Sequence, residues 1–373
     1  MYTLQDLLSV MAEAEASDLY VSVGAFPMLK ISGEVYPIEK EQLTAENLEN
    51  LKNEMLNGDQ LASYHKEKEL DYTLSLAGVG RFRVNFFRQR GTDSFVVRSI
   101  VSKVKSLSEL DLPDILAELS LKDRGLVLVV GSTGSGKSTT LAAMIDHRNS
   151  NKSGHILTLE DPIEFLHPHK KSLVNQREVG QDTHSYHKAL KSALREAPSV
   201  LLVGEIRDRE AMESALNFSE TGHLVFSTLH ATNTSQTIDR ILSFYDRSEQ
   251  DLAQMQLSQN LLAIVAQRLI PMENGKLTAA LEIMVSTARI KDLIQKGSID
   301  LLPQAIKSGT GEHMQLFDQA LYKLYKSKKI SEMTAIDSAD HPTDIKLLIS
   351  STEQRELNQD ISLLDDEGES KKD

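Results

Sequence analysis

Cysteine and tryptophan are both absent from this 373-residue chain. Without cysteine there is no disulfide and no cysteine-ligated zinc. Aromatic residues make up only 5%, so the stacking platforms that hold single-stranded nucleic acid are scarce. A basic surplus is also missing, because the formal net charge is −13. A protein that coats nucleic acid needs a positive surface to displace counterions, so that class is disfavoured. No apolar run approaches the roughly 18 residues that a membrane-spanning helix requires. The first residues, Met1 to Asp6, have neither the basic stretch nor the apolar core of a signal peptide. These absences lead to the expectation of a cytosolic protein. What is present is ordinary for a globular chain, with 40% hydrophobic and 25% charged residues. The length predicts two domains.

Residues 1–101 read as a small α+β domain with a mostly antiparallel sheet. Leu4, Leu7, Leu8 and Met11 have helical spacing. A strand is expected from Ser17 to Val23. A hairpin is expected around Ser32-Gly33, joining Met28–Ile31 to Glu34–Ile38. Polar helices follow from Thr44 to about Leu56 and from Asp59 to Glu67. Three strand-like runs then cover 70–76, 80–88 and 94–100. In the second, Phe82, Val84 and Phe86 alternate with Arg81, Arg83 and Asn85, which gives one apolar face and one arginine-bearing face.

A polar stretch, 102–112, reads as a linker. Beyond it the pattern changes to short apolar runs between helical segments, as in a parallel sheet with crossover helices. The runs are Leu126–Val130, His155–Leu159, Val200–Val203 and Leu224–Thr228. Further helical patterns cover about 251–270 and 288–325. This second domain is expected over 113–349, and the acidic segment 350–373 has the composition of a disordered tail.

Gly131-Ser132-Thr133-Gly134-Ser135-Gly136-Lys137-Ser138 fits the spacing of a phosphate-binding loop. An apolar strand precedes it, and an amphipathic helix follows from Thr139. Glycines let backbone N–H groups converge on phosphate oxygens. Lys137 can reach the β- and γ-phosphates, and the Ser138 hydroxyl can hold Mg²⁺. The start of the helix adds its positive end.

Such a loop binds ATP, but hydrolysis also needs acids that orient water and metal. Two strand ends supply them: Glu160 to Glu164 after the 155–159 run, and Glu205 after the 200–203 run. Ligands of open α/β sheets bind beyond the carboxyl ends of the strands, where these acids fall. His223 and His230 lie at opposite ends of the next strand, and the strand-end rule favours His230. A lone histidine is more often a structural hydrogen-bonder. Arg81, Arg83 and Arg98 are either solvated or salt-bridged, or they supply charge to a phosphoryl site in trans, which makes sense only in an oligomer. His167-Pro168-His169 and the His184–His187 pair do not read as a metal site, because no third ligand suggests itself.

Four segments occur in one order: Gly131–Ser138, Glu160-Asp161-Pro162-Ile163-Glu164, Val200–Arg207, and Thr221-Gly222-His223 through His230-Ala231-Thr232-Asn233. Over about residues 1–345 the chain thereby resembles the type IV pilus retraction ATPases, the PilT/PilU family of the secretion-ATPase superfamily. The resemblance implies a PAS-like N-terminal domain and a RecA-like P-loop motor in a cytosolic homo-hexamer at the inner membrane. It implies ATP and Mg²⁺ bound by residues 131–139, with Thr139 completing the loop. It also assigns roles. Glu164 would polarise water, with Glu160 beside it in the acidic box. Glu205 and Ser138 would support Mg²⁺, and His230 would sense the γ-phosphate. Arg83 and Arg98 would reach a neighbouring subunit's nucleotide. Several features look like the PilU branch: the departure of Ala288-Arg289-Ile290-Lys291-Asp292-Leu293-Ile294 from the PilT-type helix, the acidic extension, Arg124–Val127 and Gln176–Gly180. That branch implies an accessory to a PilT-type ATPase, acting on an inner-membrane platform protein. Assembly and type II secretion ATPases usually carry a four-cysteine zinc module, which this chain lacks.

Overall fold

The computed structural model describes residues 2–38, 41–100 and 103–351. The acidic segment expected at 350–373 lies, from residue 352 on, outside the described residues, as does residue 102 of the expected linker. The chain divides into two compact units. The first takes in the chain up to Val104 together with Pro162–His167 and Gly180–Asp182, and the second the other described residues.

In the first unit, α1 (Leu4–Glu13) begins with a reciprocal cap between Thr3 and Asp6. The same device opens α2 (Ala45–Met55), with Thr44 and Asn47, and α3 (Gly58–Glu67), with Asn57 and Gln60. Each cap satisfies two orphan N–H groups and is worth about 1 kcal/mol. Six strands form one antiparallel sheet: β1 (Asp18–Ser22), β2 (Met28–Ile31), β3 (Glu34–Pro37), β4 (Glu69–Leu76), β5 (Gly80–Gln89) and β6 (Thr92–Ile100), in the order β3-β2-β1-β6-β5-β4. The α+β expectation holds. Phe82, Val84 and Phe86 of β5 and Phe95 and Val97 of β6 pack with Leu7, Leu8 and Met11 of α1 in one buried cluster. The ring centroids of Phe86 and Phe95 are 4.8 Å apart. The opposite face of β5 and β6 places Arg83 directly across from Arg98. Like charges so placed repel. Each is offset by a carboxylate on its other neighbour strand, Asp71 for Arg83 and Asp18 for Arg98.

The second unit runs α4 (Ile115–Ser120), β7 (Gly125–Val130), α5 (Lys137–Asn151), β8 (Gly154–Glu160), β9 (Ser172–Glu178), α6 (Tyr186–Ala193), β10 (Val200–Val203), α7 (Arg209–Glu220), β11 (Leu224–Leu229), α8 (Thr234–Leu242), α9 (Gln250–Asn260), β12 (Leu261–Pro271), β13 (Leu277–Val285), α10 (Ala288–Gln295), α11 (Leu302–Ser308), α12 (Phe317–Lys326) and α13 (Glu332–Asp337). Its sheet has the order β13-β12-β7-β11-β10-β8-β9. All neighbours are parallel except the edge pair of β12 and β13. All six residues of β7 are buried, as a parallel strand covered on both faces requires. Each of its large apolar side chains contributes roughly 1.5–3 kcal/mol by leaving water.

Two sequence expectations need correction here. Residues 261–270 were expected to be helical, but they form the strand β12. β9 and β13 were not anticipated as strands. The run Leu261-Leu262-Ala263-Ile264-Val265-Ala266 is apolar without alternation. Such a run suits a buried strand or a buried helix, and periodicity does not separate them.

Candidate active site

Strand β7 lies between β11 and β12, and the next strand along the chain, β8, lies three places away. The connections therefore diverge at the carboxyl end of β7, the topological switch where open α/β sheets bind ligands. The loop 131–136 leaves β7 there and enters α5 at Lys137. Gly136 is the N-cap of α5 and has φ +85°, so no side chain caps this helix. A 15-residue helix opening without a side-chain cap directs its first-turn N–H groups and positive end into the loop. The Lys137 ammonium donates to the carbonyls of Gly131 (3.0 Å) and Ser132 (2.9 Å). It thus folds over the loop, where phosphate oxygens can exchange with those carbonyls. Ser138 and Thr139 follow on the first turn and are partly exposed.

A cavity of ≈ 380 Å³ adjoins the loop, lined by Ser132 to Ser135, by Arg268, Leu269 and Ile270 of β12, and by Ser338. The Arg268 guanidinium lies 3.9 Å from the Phe317 ring centroid and donates to Asp340 (2.8 Å). Stacking and charge pairing together hold it in place.

The parallel register sets the remaining groups. Val130 of β7 is level with Leu229 of β11, Ser227 of β11 with Val203 of β10, and Val203 with Leu159 of β8. His230, Glu205 and Glu160 therefore line one edge of the sheet, with the loop at its end. Glu205, with 18% of its side chain exposed, accepts a hydrogen bond from Arg207 Nε (2.8 Å) and lies 3.2 Å from His230 Nε2. Arg207 also lies 3.8 Å from Asp161. Glu160 accepts from the Thr158 hydroxyl (2.6 Å) and from Gln176 (3.2 Å). Beside them the Tyr186 phenol is pushed above its usual range, first by burial and then by Asp161, Glu160 and Glu205.

The structure thus brings the loop 131–139, Glu160, Glu205 and His230 to one edge. Glu164 is exposed and falls in the segment grouped with the first unit. Arg83 and Arg98 also belong to that unit, on its polar sheet face. His223 lies at the other end of β11. There its Nδ1 is 3.0 Å from both the Phe218 carbonyl and the Thr221 hydroxyl, a structural placement. Arg207, Asp161, Tyr186 and Arg268 were not singled out in the sequence. Arg207 and Asp161 lie inside boxes already recognised. Arg268 was hidden because its strand was read as helix.

The family model for type II/IV secretion system proteins matches residues 74–333. The type IV pilus ATPase PilU of Pseudomonas aeruginosa is 44% identical over 346 residues, 92% of this chain and 91% of that protein. The type IV pilus retraction ATPase PilT of the same organism is 42% identical over 339 residues, 91% of this chain and 98% of that protein. A crystal structure of the pilus retraction motor PilT with bound ADP superposes with a TM-score of 0.86 at 38% identity, covering 92% of this chain and 99% of that one. The chain belongs to the type II/IV secretion ATPase family, among its type IV pilus ATPases. The sequence expectations of family, fold class and ATPase activity hold. Among the described residues, no helix is long and apolar enough to cross a membrane.

Proposed function

We propose that this chain hydrolyses ATP at residues 131–139 and uses the energy to power type IV pilus retraction, as a PilU-type partner of a PilT-type ATPase. The observation that carries this reading is the uncapped α5 and its lysine, which start from the same carboxyl edge of the sheet that carries the Glu205–His230–Arg207 cluster. The PilU and PilT relatives support the pilus role.

Backbone N–H groups of the loop and Lys137 bind the β- and γ-phosphates, and the exchange of Lys137 from two carbonyls to phosphate couples loop closure to binding. The Ser138 hydroxyl and Glu205 carboxylate are oxygen donors of the kind Mg²⁺ takes, and the bound ion would offset phosphate charge. Glu164 orients the attacking water, with Glu160 close by in sequence on β8. His230, beside Glu205, reports on the γ-phosphate position. Arg83 and Arg98 act on the nucleotide of a neighbouring subunit in a homo-hexamer. To do so, each exchanges its carboxylate, Asp71 or Asp18, for phosphate. The ring works at the cytoplasmic face of the inner membrane, on a platform protein. We assign the first domain to 1–101, the linker to 102–112 and the motor to 113–349.

Lys137→Ala is expected to abolish ATP hydrolysis by the purified chain. It is also expected to remove this chain's contribution to retraction in cells that keep the PilT-type partner. Wild-type turnover in Lys137→Ala would reject the site assignment. Normal ATPase loss with unchanged retraction would reject the pilus role alone.

A further inference from the structure

Within loop 131–136, Lys137 donates to the carbonyls of Gly131 and Ser132, the Ser135 N–H also donates to Ser132 (3.2 Å), and the Thr140 N–H donates to Gly136 (3.1 Å). The Ser135 carbonyl is held instead from a neighbouring strand. Ala266 of β12 is level with Val130 of β7, so the next residue, Gln267, faces the start of the loop. Gln267 is 3% exposed, and both atoms of its amide are engaged. Nε2 donates to the Ser135 carbonyl (2.8 Å), and Oε1 accepts from the Thr140 hydroxyl (2.7 Å). The amide orientation follows from chemistry. A carbonyl only accepts, so nitrogen must face Ser135, and oxygen is left for the hydroxyl.

The same residue meets both glycine ends of the loop. A Cβ on Gly131 would come 2.5 Å from the Gln267 carbonyl, and one on Gly136 would come 2.7 Å from Gln267 Nε2. Real Cβ atoms do not approach so closely. Gly136 also has a φ of +85°, which other residues adopt only with strain. Gly131 is thus required by its close approach to the β12 backbone, and Gly136 by its left-handed backbone conformation. Gln267 holds the last turn of the loop against the first turn of α5, immediately around Lys137 and Ser138.

We infer that Gln267 is a positioning residue of the nucleotide site, whose side chain fixes the phosphate loop in its binding shape through Ser135 and Thr140. This role presupposes that the loop holds nucleotide, as proposed above. An aliphatic side chain of the same length leaves the Ser135 carbonyl buried without its donor and the Thr140 hydroxyl without its acceptor. The loop then samples other shapes, and each phosphate contact is weakened together.

A matched comparison separates this role from ordinary structural support. Gln315 is also buried and also uses both amide atoms. Its Nε2 donates to the Leu281 carbonyl (2.9 Å), and its Oε1 accepts from Lys323 (2.7 Å). None of these partners belongs to the phosphate loop. Gln267→Met and Gln315→Met in the full chain therefore remove similar bonds at different places. ADP affinity by titration with a fluorescent ADP, KM and kcat for ATP, and Tm are measured for both. Gln267→Met is expected to weaken ADP binding and raise KM about tenfold or more, the consequence of one buried acceptor losing its donor. Gln315→Met is expected to lower Tm and leave ADP affinity and KM at the wild-type values. Equal effects of the two on ADP affinity, or wild-type affinity in Gln267→Met, would overturn the assignment. If Gln267→Met does not fold, Thr140→Val decides. Its weakened ADP binding, recovered by Thr140→Ser, supports the role, and wild-type binding in Thr140→Val overturns it. Lys137→Ala, run alongside, keeps the two ideas apart. Wild-type ADP affinity there refutes the phosphate-loop reading itself, whereas its loss with intact binding in Gln267→Met refutes only the role of Gln267.

Discussion

Glu205 is the carboxylate most directly tied to other groups of the site. One oxygen meets Arg207 at 2.8 Å, and the other lies 3.2 Å from His230. The phosphate loop lies elsewhere along the same edge, with Lys137 bonded to Gly131 and Ser132. Binding and chemistry are therefore separable at the residue scale. Glu205→Gln keeps the shape and removes the charge. It is expected to lower kcat roughly 100-fold or more, the range for loss of a positioned charged catalytic group. ADP affinity should change little. Steady-state ATPase assays beside ADP titration test this, and an unchanged kcat would remove Glu205 from the chemistry. The contiguous loop was legible in the sequence because its spacing is local. Glu205 was legible because strand ends are functional positions in parallel sheets. Its contact with His230 was not legible, since it depends on the register of β10 against β11.

Among elements, β12 and β13 carry the least expected function. Helix α9 passes into β12 with no glycine or proline between them, so the boundary left no mark in the sequence. A hairpin signal did exist in Glu273-Asn274-Gly275-Lys276, where Gly275 has φ +77°. Read as a turn, it would have predicted two paired strands. β13 also supports the segment that carries His230. The Glu282 carboxylate, 5% exposed, accepts from both the backbone N–H (2.8 Å) and the hydroxyl (2.7 Å) of Thr234, the first residue of α8. Burial raises the Glu282 carboxyl above its ordinary range, and the bonds from Thr234 only partly oppose this. A raised folded-state value means that the native chain holds the proton more tightly than the unfolded chain. The associated stability is then present at low pH and is lost as pH rises through the native value. Glu282→Gln keeps an acceptor for Thr234 without the charge. Its Tm relative to wild type is expected to rise as pH is raised above the ordinary carboxylate range. A difference independent of pH would show that the carboxylate is not destabilised by its surroundings.

For the whole molecule, the arginine pair is the telling feature. Arg83 and Arg98 face each other across β5 and β6, each held by a carboxylate of its own sheet. If these arginines serve a neighbouring subunit, defects in the two domains should complement. Lys137→Ala and Arg98→Ala are each expected to be nearly inactive alone. Mixed and reassembled, they should regain part of the ATPase activity, because some sites then combine an intact Lys137 with an intact Arg98. No recovery on mixing, with assembly confirmed by sizing, would place the action of Arg98 within its own chain or outside the reaction.

The amino-acid order alone determined the phosphate loop, the apolar and arginine-bearing faces of β5, the parallel character of the second sheet and the family resemblance. Each rests on short segments read along the chain, alone or in a fixed order, whose physics is spacing and backbone conformation. Only the tertiary structure decided that β12 is a strand beside β7 and that Gln267 reaches Ser135 and Thr140. It likewise decided that Glu205 and His230 meet and that Glu282 caps α8. Those contacts join residues far apart in the chain, and they exist because sheet register and close packing bring them together, which periodicity along a single segment does not encode.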